Sequence, residues 1–260
     1  MPLISPRTFT VGALPVRVYA SQEDLAAEAA QTMSACLQKA IAAKGSAAAI
    51  LATGNSQLTF LKKVTAAGGV DWSRVTLFHM DEYLGISASH TASFRRYMRE
   101  KVESLVKPRA FHYLEGDALE PIDECERYSA LLKAQPIDLC CLGVGENGHL
   151  AFNDPPVADF EDTRLVKIVQ LDEACRLQQT REGHFPSIDA VPPYALTLTI
   201  PALCRAGQMI CIAPEKRKAK AVHAALTGPI EESCPASVLR RVSTAVLLLD
   251  NDSAALLPPF

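Results

Sequence analysis

Short apolar runs alternate with amphipathic stretches along nearly the whole chain. Leu14 to Tyr19, Ala47 to Ala52, Val75 to His79, Ile137 to Gly143, Gln208 to Ala213 and Thr244 to Asp250 read as strands, most of them apolar throughout. Ser21 to Ala43, Gln57 to Ala67, Ala92 to Val106, Glu120 to Ala134 and Lys216 to Leu226 carry helical patterning. The first of these opens on Ser21 with Glu23 and Asp24 in its first turn, the residue types that cap and charge a helix start. Strands that are apolar on both faces and separated by helices indicate a parallel sheet covered on both sides. No long Gly/Ser or Pro linker and no internal repeat interrupts the order, so residues 1–260 are expected to form a single doubly wound α/β domain, Rossmann-like, with a mostly parallel sheet. Asn153 to Pro193, rich in Asp, Pro and Gln, is the least regular stretch, and residues 155–193 read as a lid or a surface excursion.

In open parallel sheets ligands sit beyond the carboxyl ends of the strands, and three strand ends here are chemically unusual. Ala52-Thr53-Gly54-Asn55-Ser56 joins a buried strand to a helix. Such a turn aims free N–H groups and a helix dipole at one spot, with Gly54 allowing close approach, Asn55 tolerating a left-handed conformation, and two hydroxyls adding donors. A phosphate fits there, although a ligand-free helix cap has the same appearance; neither a Walker loop nor the dinucleotide pattern is present. Phe78-His79-Met80-Asp81-Glu82-Tyr83 puts two adjacent carboxylates at the end of an apolar strand. Asp81 there is either a turn cap, with Glu82 solvated, or a general base whose pKa partial burial lifts toward neutrality. Leu142 to Pro155 carries glycines at 143, 145 and 148 around His149, with Asn147 and Asp154 placed to orient the imidazole. A histidine titrates near neutral pH and so can both take and give a proton.

Composition narrows the partner. Hydrophobic residues make up 48% and charged residues 21%, an ordinary globular balance, and the net charge of −3 offers no attraction to nucleic acid or an anionic membrane. The apolar runs are too short to span a bilayer, and Met1 to Ala20 lacks the continuous apolar core of a signal peptide. The eight cysteines contain no CxxC pair and read as reduced thiols of a cytoplasmic protein. His112, His184 and His223 lack partners at metal-ligand spacing, His79 reads as core, and His90 as the start of a helix. No metal or organic cofactor is expected, and the partner is a small molecule, with a homo-oligomer left open.

Taken together, Thr53-Gly54-Asn55-Ser56, Met80-Asp81-Glu82-Tyr83 and Gly143 to Pro155 resemble the signature loops of the glucosamine-6-phosphate deaminase family, in the same order. Pro193-Tyr194-Ala195-Leu196-Thr197 and Lys218-Ala219 match too, and the likeness runs from about residue 14 to 250. The related 6-phosphogluconolactonases share the fold and the Gly-His element but usually lack the Met-Asp-Glu-Tyr and Ala-Phe-Asn pieces. The resemblance implies conversion of the hexosamine phosphate glucosamine 6-phosphate, with water, into fructose 6-phosphate and ammonia. It implies a catalytic set of Asp81, His149, Asn147 and Asp154, and a substrate- and phosphate-binding set of Thr53, Gly54, Asn55, Ser56, Lys218, Glu82 and Gly145. His149 would open the sugar ring and Asp81 would carry a proton between C2 and C1. Three positions depart from the family pattern: Asn147 replaces Asp, Asp154 replaces Glu, and Asn55 replaces the second Gly of the phosphate turn. The family's phosphate-binding Arg in the lid has no counterpart; Gln179 falls near it and Arg181 two residues on, while Arg164 resembles part of the allosteric site of some relatives. The competing readings are another hexose-phosphate isomerase or a lactonase on the same scaffold, and a non-catalytic sugar-phosphate sensor.

Overall fold

A computed structural model describes residues 5–259. The chain runs β1 (Arg7–Val11), β2 (Leu14–Tyr19), α1 (Gln22–Lys44), β3 (Ala47–Leu51), α2 (Asn55–Ala66), β4 (Val75–His79) and β5 (Asp81–Tyr83). Helix α3 (Phe94–Met98) passes through a π turn (Arg99–Glu103) into α4 (Ser104–Val106), followed by β6 (Ala110–His112), α5 (Pro121–Lys133) and β7 (Leu139–Leu142). Then come β8 (Val166–Gln170), α6 (Glu173–Arg181), β9 (Tyr194–Leu198), α7 (Ile200–Cys204), β10 (Gln208–Ile212), α8 (Ala219–Thr227) and β11 (Ala245–Asp250).

The main sheet has the order β1-β2-β11-β10-β7-β3-β4-β6, parallel throughout except for β1, which pairs antiparallel with β2. The strands read from the sequence are all present within a residue or two of their expected bounds. Local chemistry accounts for the long helix: Ser21 accepts from the Asp24 N–H at 3.1 Å, and Gly45 ends it with φ +80° and an N–H bonded to Ile41. One sheet face packs Leu25, Met33 and Leu37 of α1 and Phe60 and Val64 of α2 against Ala49, Leu51, Leu77 and Cys141. The other packs Tyr128 of α5, Leu203 of α7 and Val222 of α8 against Ile50, Phe78, Leu142 and Cys211. Helices therefore cover both faces, the doubly wound arrangement the apolar strands require.

Two expectations need correction. Met80 to Tyr83 is not a loop: β5 follows β4 directly and joins β9 and β8 in a second, three-stranded antiparallel sheet. The stretch from Asn153 to Pro193 is more regular than its composition suggests, since it supplies β8 and α6. The second sheet escapes a search for apolar runs because β5 has only three residues, two of them acidic, and β8 is broken by Lys167 and Gln170. The sheet rests on the main body through Val166, Leu196 and Leu198, and on an aromatic group of Tyr83, Phe94, Phe152 and Phe185.

Following the chain through the main sheet, β3, β4 and β6 step in one direction and β7, β10 and β11 in the other. The direction reverses between the paired strands β3 and β7, so their carboxyl-end loops diverge and leave a crevice.

The edge strand β5 is clamped from outside by Gly116. A methyl group there would stand 2.1 Å from the Tyr83 carbonyl oxygen and 2.9 Å from Glu82 Cγ. Gly116→Ala should therefore lower stability by about 1–3 kcal/mol, the usual cost of overpacking, read as a shift of the urea midpoint. An unchanged midpoint would show that β5 yields freely and does not depend on this contact.

Candidate active site

The crevice at the strand reversal is a cleft of about 600 Å³ including its open mouth. Its floor is the turn after β3, its walls the ends of β4 and β7 and the loop after β10, and its outer rim is α6 and the residues that follow.

The turn after β3 places Gly54 at φ +105°, where only glycine is unstrained, and Asn55 as the first residue of α2. The left-handed residue is thus Gly54, and Asn55 is helical. The Asn55 and Ser56 N–H groups belong to the free first turn of a twelve-residue helix and make no hydrogen bond among the described residues. Buried Gln57 ties the turn down by donating to Ser56 Oγ and to the Ile212 carbonyl, and Tyr97 Oη donates to the Gly54 carbonyl at 3.0 Å. Lys218 lines the same floor. It is 3% exposed, and no acceptor lies within hydrogen-bond distance of Nζ among the described residues. Burial, then the neighbouring Arg217 charge, push its ammonium down to about 8, against the pull of Glu182, Glu146 and Glu215. A buried cation without a partner beside free N–H groups is a site prepared for an anion.

Asp81 and Glu82 part company because they are consecutive in a strand, where side chains alternate between faces. Asp81 lines the cleft with Oδ1 unpaired, and burial, reinforced by the Glu82 charge, raises its carboxyl well above the ordinary range. Glu82 faces away from the cleft and is fully buried. Its carboxylate accepts from the Tyr83, Phe94 and Arg95 N–H groups, from Ser93 Oγ at 2.7 Å and from Arg95 Nε at 3.4 Å. Glu82 is neither solvated nor in contact with the cleft: it secures the start of α3 behind Asp81. His79, fully buried, accepts from the Leu114 N–H at 2.8 Å, and burial lowers it to about 3, a neutral core group.

His149 is aimed by its surroundings. Its Nδ1 meets Asp154 Oδ1 at 2.8 Å. Burial alone would raise Asp154, but the His149 charge and the hydrogen bonds from His149, Asn147 and the Asp172 N–H hold it below the ordinary carboxyl range. Asp154 is therefore a carboxylate, Nδ1 is the donor, and Nε2 is free at the cleft side. That edge lies over Gly145, where a Cβ would stand 2.3 Å from Nε2. Gly145 is thus required for the ring's position, whatever it does for a ligand. Asn147 was expected to reach the imidazole; instead its Nδ2 donates to Asp154 Oδ1 at 2.9 Å and its Oδ1 accepts from the His149 backbone N–H. It positions the carboxylate and the loop, not the ring.

The tertiary structure also gathers residues that sequence spacing kept apart. Cys175 from α6 comes close to His149 and Asp154, their donor atoms within 4.8 Å, a trio of metal-ligating types. Gln178, Gln179, Glu182 and His184 form the rim, and Arg217 stands beside Lys218. Of these, Gln179 had a sign in its place near the family's lid arginine, and Arg217 in the Lys216-Arg217-Lys218 run. No helix among the described residues is long and apolar enough to cross a membrane.

Residues 20–248 match the model of the family described as glucosamine-6-phosphate isomerases/6-phosphogluconolactonase. A glucosamine-6-phosphate deaminase from Bacillus cytotoxicus is 32% identical over 241 residues, covering 93% of this chain and 88% of that one. Another from Exiguobacterium sibiricum is 32% identical, covering 80% of each chain. Among solved structures, a monomeric glucosamine-6-phosphate deaminase superposes with a TM-score of 0.86 at 29% identity, covering 93% of this chain and 99% of that one. A 6-phosphogluconolactonase from Shewanella baltica shares the fold, with a TM-score of 0.76 at 19% identity over 93% of this chain and 98% of that one.

The depressed Lys218 predicts a pH window for phosphate-ester binding. Below about 8 the free ammonium is already charged, so Lys218 adds no pH dependence; above it, binding must take up a proton and affinity should fall by about tenfold per unit. On the acid side affinity should fall below about pH 6, where a phosphomonoester loses its second charge. Calorimetry should show this window in the wild type, and Lys218→Met should bind more weakly and lack the alkaline limb. An alkaline fall that survives in Lys218→Met would assign it to another group.

Proposed function

The chain belongs to the family of glucosamine-6-phosphate isomerases and 6-phosphogluconolactonases, and on that premise we propose that it converts glucosamine 6-phosphate and water into fructose 6-phosphate and ammonia. The observation that carries this reading is the joining, in one cleft, of an anion cradle with an acid–base pair: Thr53 to Ser56 and Lys218 on the floor, Asp81 and His149 on the walls. Relatives at 32% identity that carry the deaminase name support the same activity.

The phosphate rests on the first turn of α2 and Lys218, which fixes the far end of the sugar. His149 Nε2, its other nitrogen held by Asp154, moves the proton between the ring oxygen and the C1 hydroxyl that opens the ring. Asp81 takes the C2 proton and delivers it to C1, leaving an imine at C2. Water adds there and ammonia leaves, giving the ketose. A carboxyl group that burial raises well above its ordinary range suits this shuttle, because it must both accept and return the proton. The free cysteines and the small phosphorylated substrate suit a cytoplasmic enzyme.

A panel of hexosamine phosphates and 6-phosphogluconolactone, scored for ammonia, ketose phosphate and acid, tests the reading; acid without ammonia would make the protein a lactonase. Asp81→Asn should reduce turnover by roughly 10²–10⁴ and abolish exchange of the C2 proton with solvent, with substrate binding largely kept. Exchange that persists in the variant would remove Asp81 from the role of base. Turnover should survive exhaustive chelation with EDTA; loss restored by a divalent cation would bring the His149, Asp154 and Cys175 trio into play.

A further inference from the structure

The phosphate floor contains one unpaired cation, and a second stands next to it already engaged. Arg217 lines the cleft beside Lys218 and Asn55, with its side chain 26% exposed. Its Nη1 is paired with Glu182 just beyond α6 and lies 3.5 Å from Glu146, while Nε donates to Glu215 at 2.6 Å. The Nη2 edge makes no hydrogen bond among the described residues, leaving two N–H donors free. The arginine of the rim, Arg181, is turned outward: it is 64% exposed, pairs with Glu146 at 3.0 Å and does not line the cleft. Gln179 contributes no charge and is held by Tyr83 Oη at 2.7 Å. Arg217 is thus the sole guanidinium among the described residues lining the cleft.

Resting on the phosphate-ester reading above, we propose that Arg217 is the second cation of the phosphate subsite and that Glu182 is its intramolecular competitor. The phosphate takes the free Nη2 edge and competes with Glu182 for Nη1. The Glu182 carboxyl can wait in this role without protonating: burial raises it, but hydrogen bonds from His184, Arg217 and Gln178 bring it to about 2. Because Glu182 follows α6 directly, occupancy of the phosphate subsite is exchanged against the contact that holds this segment to the loop after β10.

The test is a double-mutant cycle on the full chain, read by calorimetric titration of inorganic phosphate and by its competition with substrate. Arg217→Ala should weaken phosphate by roughly 10- to 150-fold, the worth of a hydrogen bond to a charged group, and raise KM while kcat changes little. Glu182→Gln should tighten phosphate in the Arg217 background and do so far less in Arg217→Ala. Equal tightening in both backgrounds would mean simple charge repulsion and overturn the exchange, as would phosphate affinity unmoved by Arg217→Ala. If Arg217→Ala does not fold, Arg217→Gln takes its place in the cycle, with the same outcomes supporting or overturning the exchange. Phosphate binding needs no turnover, so failure of the deaminase reading on the substrate panel is separate from failure of this one.

Discussion

The constraint on which the site depends is the reversal of winding direction between β3 and β7. Right-handed crossovers place the helices of strands stepping one way on one face and those of strands stepping the other way on the opposite face. At the single place where the two series meet, the loops leaving β3 and β7 must part, and no helix fills the space between them. The free N–H groups at the start of α2 and the Gly143 to His149 turn are thereby brought to opposite sides of one opening.

Burial then sets the chemistry. Lys218 and Asp81 are both ionisable, both nearly inaccessible and both without a full set of partners, and their pKa shifts have the same leading cause with opposite sign. Isolated charges of this kind cost stability, and they are retained where a ligand completes them. Glu82, one residue from Asp81, shows the contrast: equally buried, but surrounded by donors from Ser93, Phe94 and Arg95, it serves as a structural anchor. Strand alternation separates the two roles.

The His149 loop shows how the substitutions of Asn147 and Asp154 are accommodated. The aspartate at 154 still reaches Nδ1, and Asn147 gives it a neutral donor while a second acid, Asp172, lies 3.4 Å from the same amide. A carboxylate at 147 would face those two acids with no donor to offer. The amide keeps the cluster from accumulating a third negative charge, and the histidine remains oriented without it.

Much of the fold was legible in the chain because buried parallel strands must be apolar on both faces, so Ala47–Leu51, Val75–His79 and Ala245–Asp250 declare themselves without their partners. Several cleft-lining residues were legible for a related reason: Gly54, Asp81, Gly145 and His149 follow the ends of β3, β4 and β7, where local conformation already dictates residue type. The second sheet, the side-chain partners of Glu82 and Asn147, and the rim of Gln178, Glu182, His184 and Arg217 were not. Their positions depend on contacts between segments far apart in the chain, and a hydrogen bond from Asn147 to Asp154 or an ion pair from Arg217 to Glu182 leaves no periodicity to read. Sequence determined which groups could act, through local backbone and burial; only tertiary packing decided which of them face the cleft and which hold one another in place.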